Sequence, residues 1–312
     1  MKFKKTLLAF CLIMCIFFCV SSVAAGDVND TIVGSDDNQI ELSQDSIDDK
    51  VIEDDNLKSS EIDEILTSNP KTFSDLNTTI NGNDDSDVYL DSNYTFELGS
   101  DSDFKDGVVI GRAVTVHGNG FTISGDNAAR IFSVTNSNVV FRDIVFVNGK
   151  SSGGGGAING QCMAINCTFN SNFGESGGAM AYGSARDCTF NSNSAGLYGG
   201  AIVQCQAENC IFNFNDASAG GAMAYGSAIH CTFNSNRGYD GGAIYEGSAI
   251  NCTFNSNFGY YGGVMHDSSA INCTFKNNEA YYSGGAMFGD GYVADNCQFI
   301  NNTAVTGGAT YQ

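Results

Sequence analysis

Gly241-Gly242-Ala243-Ile244-Tyr245-Glu246-Gly247-Ser248-Ala249-Ile250-Asn251-Cys252-Thr253-Phe254-Asn255-Ser256-Asn257 contains both signatures that organise this chain. The Gly-Gly-Ala-Ile type signature begins at Gly155, Gly177, Gly199, Gly220, Gly241, Gly262, Gly284 and Gly307. The Asn-Cys-Thr-Phe type signature carries Cys167, Cys188, Cys210, Cys231, Cys252, Cys273 and Cys297, spaced 21, 22, 21, 21, 21 and 24 residues apart. A unit this short cannot bury a core alone, so it reads as one rung of a stack.

Alternation within the unit identifies strands. Ile250, Cys252 and Phe254 fall on one face and Asn251 and Thr253 on the other, the period of a half-buried strand. The phenylalanine column is Phe169, Phe190, Phe212, Phe233, Phe254, Phe275 and Phe299. Three residues past each stands Asn172, Asn193, Asn215, Asn236, Asn257, Asn278 or Asn302. Asparagine tolerates left-handed backbone angles, so this column reads as an internal ladder at a coil corner. The Gly-Gly pair marks a second corner. After it, the fourth position (Ile158, Met180, Ile202, Met223, Ile244, Met265, Met287) is expected to face inward and the variable fifth position to face solvent. Abundant Gly, Asn, Ser and Thr, with no long run of helix formers, argue against a helical repeat. The expectation is an all-β parallel β-helix whose coils of about 21 residues hold three short strands and stack about 4.8 Å apart.

The pairing of GGA[I/M] with FxxN resembles the repeat of polymorphic outer-membrane proteins, and the Asn-Cys-Thr-Phe wording is similar to the adhesin-like surface proteins of methanogenic archaea. The resemblance covers Gly107 to Gln312 and implies a right-handed β-helix, surface display and adhesion without shared catalytic machinery. In one departure the chain stops at Gly307-Gly308-Ala309-Thr310-Tyr311-Gln312, partway into a coil. Such an open edge is expected to favour self-association through the C-terminal coil.

Composition divides the rest. Residues 1–25 read as a signal peptide: Lys2, Lys4 and Lys5 precede an apolar run from Leu7 to Val20 and the small residues Val23-Ala24-Ala25. A secreted or cell-surface location follows, with an uncleaved membrane anchor as the alternative. Residues 26–110 hold 23 acidic residues against four lysines. Within them, 26–70 read as an acidic, disordered leader with transient helix at Glu61 to Leu66. Residues 71–154 read as a cap and irregular opening coils. In them Phe73, Leu76 and Ile80 suit a short amphipathic helix over Thr72 to Ile80, and strands are expected at Val88 to Leu90, Gly107 to Ile110, Val114 to Val116, Phe121 to Ile123, Ile131 to Val134 and Val139 to Phe146. Residues 155–312 are the regular repeats.

The ladder cysteines read as core thiols, because in-register side chains point the same way and disfavour a disulfide dihedral. Cys162 and Cys205, two coils apart, cannot pair with each other. No metal site is expected, since C-x-x-C and His-x-x-x-His spacings are missing. Gly149-Lys150-Ser151 lacks the upstream glycine of a phosphate loop, so no nucleotide or other cofactor is expected. A net charge of −21 speaks against nucleic acid as a partner. Acids scattered over different columns favour a non-catalytic protein, with a polysaccharide lyase or glycoside hydrolase as the alternative. Tyr198, Tyr239, Tyr260, Tyr261, Tyr281 and Tyr282, between FxxN and Gly-Gly, are the candidate ligand-binding residues. Tyr182, Tyr225 and Tyr245 follow the glycines, and the expected partner is a glycan or a cell-surface protein. The Asn166, Asn251 and Asn272 triplets, with Asn29, Asn77, Asn93 and Asn301, are glycosylation sequons.

Overall fold

The computed structural model describes residues 69–311. The expected signal peptide and most of the acidic leader, including Glu61 to Leu66, lie outside them. Within these residues the chain is an all-parallel β-solenoid of three ten-stranded sheets and one six-stranded sheet, every pairing joining one coil to the next.

The cap forms as its pattern predicts. Helix α1 (Phe73–Asn81) begins at Thr72, whose side chain and Asp75 form a capping box, and it buries Phe73, Leu76 and Ile80. Its entry is fixed by a residue that periodicity did not reveal. Asp101 is fully buried and accepts hydrogen bonds from the backbone N–H groups of Phe73, Ser74 and Glu97 at 2.9–3.0 Å. A carboxylate at a helix N-terminus satisfies donors the helix cannot, and it complements the helix dipole.

The opening coils are more regular than expected, since their strands begin the same three long sheets. The first sheet starts at Asp87–Tyr89 and Val114–His117, the second at Tyr94–Thr95 and Thr122–Ser124, and the third at Val108–Ile110 and Phe132–Val134. The expected strand over Val139 to Phe146 is two strands, Val139–Arg142 and Val145–Val147, because Asp143 between them turns left-handed.

The regular coil corrects the expected strand faces. Ser248–Ile250 and Thr253–Asn255 belong to different sheets, and Asn251 between them has φ 54°. The inward residue of the first strand is therefore Ala249, with Ala164, Ala185, Ala207, Ala228 and Ala270 in its column, and Ile229, Ile250 and Ile271 turn outward. Ile229 and Ile271 are more than a third exposed. Cysteine and phenylalanine do face inward as expected. Left-handed residues at this corner are Asn166, Asp187, Asn209, His230, Asn251, Asn272 and Asn296, the residue types that tolerate this region best.

The FxxN asparagines are the internal ladder, but they are not the left-handed residues. That role falls to the residue before each one: Ser171, Ser192, Phe214, Ser235, Ser256, Asn277 and Asn301. Beyond the ladder, the stretch expected as a corner forms a fourth sheet, with strands such as Phe173–Ser176, Arg237–Asp240 and Glu279–Ser283. Register shifts within it absorb single-residue variations in repeat length, while two further residues of the last repeat lie in the turn between Phe288 and Val293. The Gly-Gly corner follows. The first glycine is left-handed, as at Gly241 with φ 69°, and a Cβ on the second, Gly242, would stand 2.3 Å from the Gly263 carbonyl of the next coil. Both positions exclude side chains, one by torsion and one by contact.

Beside the inward alanines and the buried fourth-position residues Ile158, Met180, Ile202, Met223, Ile244, Met265 and Met287, three more columns run through the interior. Phenylalanine rings from Phe146 to Phe299 stack face to face with centroids 4.7–5.0 Å apart. The ladder thiols are free and, except for half-buried Cys297, buried. In the asparagine column each Nδ2 donates to a phenylalanine carbonyl of the preceding coil and to Oδ1 of the next asparagine. Each Oδ1 in turn accepts the backbone N–H and the Nδ2 of the preceding one, as at Asn236. Both protons and both lone pairs of the amide are used, which lets a polar group occupy the core without loss.

Candidate binding surface

The Gly-Gly corner turns the chain from the fourth sheet into the third, and the outer sides of these two sheets carry the aromatic residues. Tyr239 stacks on Tyr260 at 4.9 Å, and Tyr260 meets Tyr281 at 5.3 Å, one residue per coil. Tyr261 stacks on Tyr282 at 5.4 Å, and Tyr281 stands perpendicular to Tyr282 at 4.6 Å. Parallel pairing puts one coil's residue directly over the next, so equivalent positions become ring columns.

The fifth position after the Gly-Gly pair extends this group, and of its rings sequence reasoning had named only Tyr245. Tyr245, His266, Phe288 and Tyr311 are in register on four successive coils of the third sheet. Their centroids lie 5.1–5.9 Å apart, and Phe288 joins the two columns through Tyr261 at 5.2 Å. The signal was present in the sequence as four aromatic rings at one offset. In three earlier coils that position is Ala181, Val203 and Ala224, expected to face solvent and instead buried beneath Tyr198 and Tyr245 as a small apolar cluster outside the main core. Tyr225 packs against both of these tyrosines, the three rings lying 5.3–6.1 Å from one another.

All six tyrosines singled out by sequence therefore belong to one belt, with Tyr225 and Tyr245. Tyr182 is exposed but stacks on none of them. Outermost are Tyr281, 54% exposed, Tyr239 and Tyr282. Coil-to-coil stacking covers part of each face, so the belt presents ring edges, hydroxyls and the open faces of its outermost rings.

Carboxylates border these rings. Asp240 Oδ1 lies 3.2 Å from His266 Nδ1, without hydrogen-bond geometry, and Asp267 Oδ2 lies 3.6 Å from Nε2. Burial and the Tyr198 hydroxyl push Tyr225 up to about 12, and burial with nearby Glu246 raises Tyr245 as well. Tyr225 and Tyr245 are thus neutral hydrogen-bond donors at physiological pH, set beside acceptors. Among the described residues no cluster of three metal-ligating side chains exists, and no helix is long and apolar enough to cross a membrane.

No known protein family matches the chain, and no curated protein is similar to it. The adhesin-like resemblance therefore stands on the repeat wording alone.

Proposed function

We propose that this is a secreted or cell-surface, adhesin-like binding protein without catalysis, whose ligand is a neutral glycan held along the aromatic belt. The observation that carries the reading is the continuous ring network from Tyr198 to Tyr311, partly exposed and bordered by carboxylates. Flat amphipathic rings suit the apolar faces of sugars, and phenol donors beside carboxylate acceptors suit their hydroxyls. The acidic border disfavours anionic polysaccharides. The signal-like N-terminus and the repeat resemblance support surface display.

The test is glycan-array binding by the purified protein, with lyase and hydrolase assays on the same panel. Neutral-glycan binding that is lost in a Tyr260→Ala, Tyr281→Ala double variant with unchanged melting supports the proposal. Binding unaffected by that variant removes the belt as the site. A glycoside hydrolase is the second reading, and Asp240 and Asp267 on either side of His266 are the constellation that favours it. Cleavage of a panel member, abolished by Asp240→Asn, would decide for it.

A further inference from the structure

The fourth sheet has six strands where the others have ten, and its first strand, Phe173–Ser176, meets the preceding coil only through isolated bridges at Lys150 and Gly154. A cleft of about 520 Å³ lies beside this incomplete rung. Lys105 and Lys150 line it with Asp106, Asn127 and Ser151, and the exposed Phe173 ring and Glu175 border it on the side of the fourth sheet.

A buried hydroxyl in the cleft lacks an acceptor. Ser151 is only 9% exposed, and its oxygen accepts from Arg130 Nη2 and from the Gly153 N–H. Both of those groups are donors, so the Ser151 proton has no acceptor among the described residues. A buried donor left unpaired is costly, and an occupant that brings an acceptor oxygen removes the cost.

The charge of the cleft points the same way. Among the described residues neither Lys105 nor Lys150 is in an ion pair, whereas Lys71 is held by Asp91 and Arg186 lies beside Asp187. The Arg130 guanidinium, bonded to the Ser151 hydroxyl and the Asp106 carbonyl, adds a third positive group. Two carboxylates stand against these three, and that of Glu175 leans over the next coil, where a Cβ on Gly196 would stand 2.9 Å from its Oε2. In a chain of net charge −21 this is a local surplus of positive charge, and a cleft focuses it on a bound anion.

The cleft also opens onto the aromatic belt. Glu175 is the third residue of its strand, as Tyr239 and Tyr260 are of theirs, and Ser176 pairs in register with Tyr198. Three coil steps, about 14 Å, separate Glu175 from the level of Tyr239 along one outer face.

We propose that this cleft binds the carboxylate of an acidic sugar, a uronate, at the end of the glycan whose neutral part lies along the belt. The carboxylate takes the Ser151 proton and the two ammonium groups, Asn127 and Asp106 meet the sugar hydroxyls, and the Phe173 ring meets the apolar face of the sugar. The place in the longer glycan rests on the glycan reading of the belt. The carboxylate site rests on the cleft alone.

The test titrates the full chain with glucuronate, glucose and acetate, followed by NMR. Glucuronate should bind about tenfold tighter than glucose, which lacks the carboxylate, and than acetate, which lacks the sugar. Lys105→Gln, Lys150→Gln should remove that advantage with unchanged melting, because both side chains are exposed, and Lys105→Arg, Lys150→Arg should keep it. Glucuronate binding no tighter than the other two, or an advantage that survives in the glutamine variant, would overturn the proposal. A neutral oligosaccharide with and without a terminal glucuronate then tests the link to the belt. The capped chain should bind tighter, the gain should vanish in the glutamine variant, and Tyr260→Ala, Tyr281→Ala should weaken both chains. Equal binding of the two chains would overturn the placement of the cleft at the end of the belt. If neither chain binds, the glycan reading of the belt fails, and the glucuronate titration still decides the cleft.

Discussion

Asn236→Ala tests the asparagine ladder at its middle. The wild-type amide donates to Phe212 O and Asn257 Oδ1, and it accepts from Asn215 N and Asn215 Nδ2, all at 2.9–3.0 Å. After truncation, Asn257 Oδ1 keeps the Asn236 backbone N–H and Asn215 Nδ2 keeps Phe190 O. Two donors lose their acceptor, the Asn215 N–H and the second Nδ2 proton of Asn215, while Phe212 O and Asn257 Oδ1 each lose one donor. Leaving a buried group unsatisfied costs about 1–3 kcal/mol, so the pair together with the small cavity should cost about 3–6 kcal/mol. Asn234→Ala, on the half-buried outer ladder, loses only bonds that water replaces and should cost about 0.5–1 kcal/mol. Asn236→Asp sharpens the test. A carboxylate oxygen in place of Nδ2 faces two acceptors, so at neutral pH this variant should be at least as unstable as Asn236→Ala and should recover partly in acid, where the protonated carboxyl donates one bond. The assay is denaturant unfolding followed by far-ultraviolet circular dichroism. Equal costs for Asn236→Ala and Asn234→Ala would refute the claim that inner-ladder satisfaction holds the coils together.

Phe233→Ala should cost about 3–5 kcal/mol, because the ring is fully buried between Phe212 and Phe254, whereas Thr232→Ala should cost about 0.5 kcal/mol or less; equal melting shifts would contradict the strand faces. Asp101→Ala should lower the melting midpoint and make helix α1 the first segment cleaved by protease, since three backbone N–H groups, that of Phe73 buried, lose their acceptor; unchanged proteolysis would show that the apolar contacts alone hold the cap. Burial pushes the Cys205 thiol up to about 12, above its unfolded value near 9, so the folded state keeps its proton longer. The stability this thiol contributes is complete below pH 9 and is lost as pH rises toward 12, at about 1.4 kcal/mol per pH unit. Cys205→Ala should flatten that alkaline slope in unfolding titrations, and an unchanged slope would mean the thiol is not protected.

Much of this protein follows from its sequence alone. The repeat length, the inward cysteines and phenylalanines, the internal asparagines and the helix buried through Phe73, Leu76 and Ile80 are local or periodic properties, and a parallel stack copies each coil's pattern onto the next. The six belt tyrosines were legible for the same reason, because a residue repeated at one offset must become a column. Other features depended on the backbone path. Ile250, Cys252 and Phe254 share an alternation, but the left-handed turn at Asn251 reverses the phase between sheets and sends the isoleucine outward. The outermost column changes from Ala181, Val203 and Ala224 to Tyr245, His266, Phe288 and Tyr311, and whether such a position is buried depends on rings from other coils. Asp101 reaches the helix N-terminus across 28 residues, and Asp240 meets His266 only after the chain has turned a full coil. Periodicity reports the step between coils; the corner torsions, which no single residue type dictates, decide what each coil turns toward its neighbours.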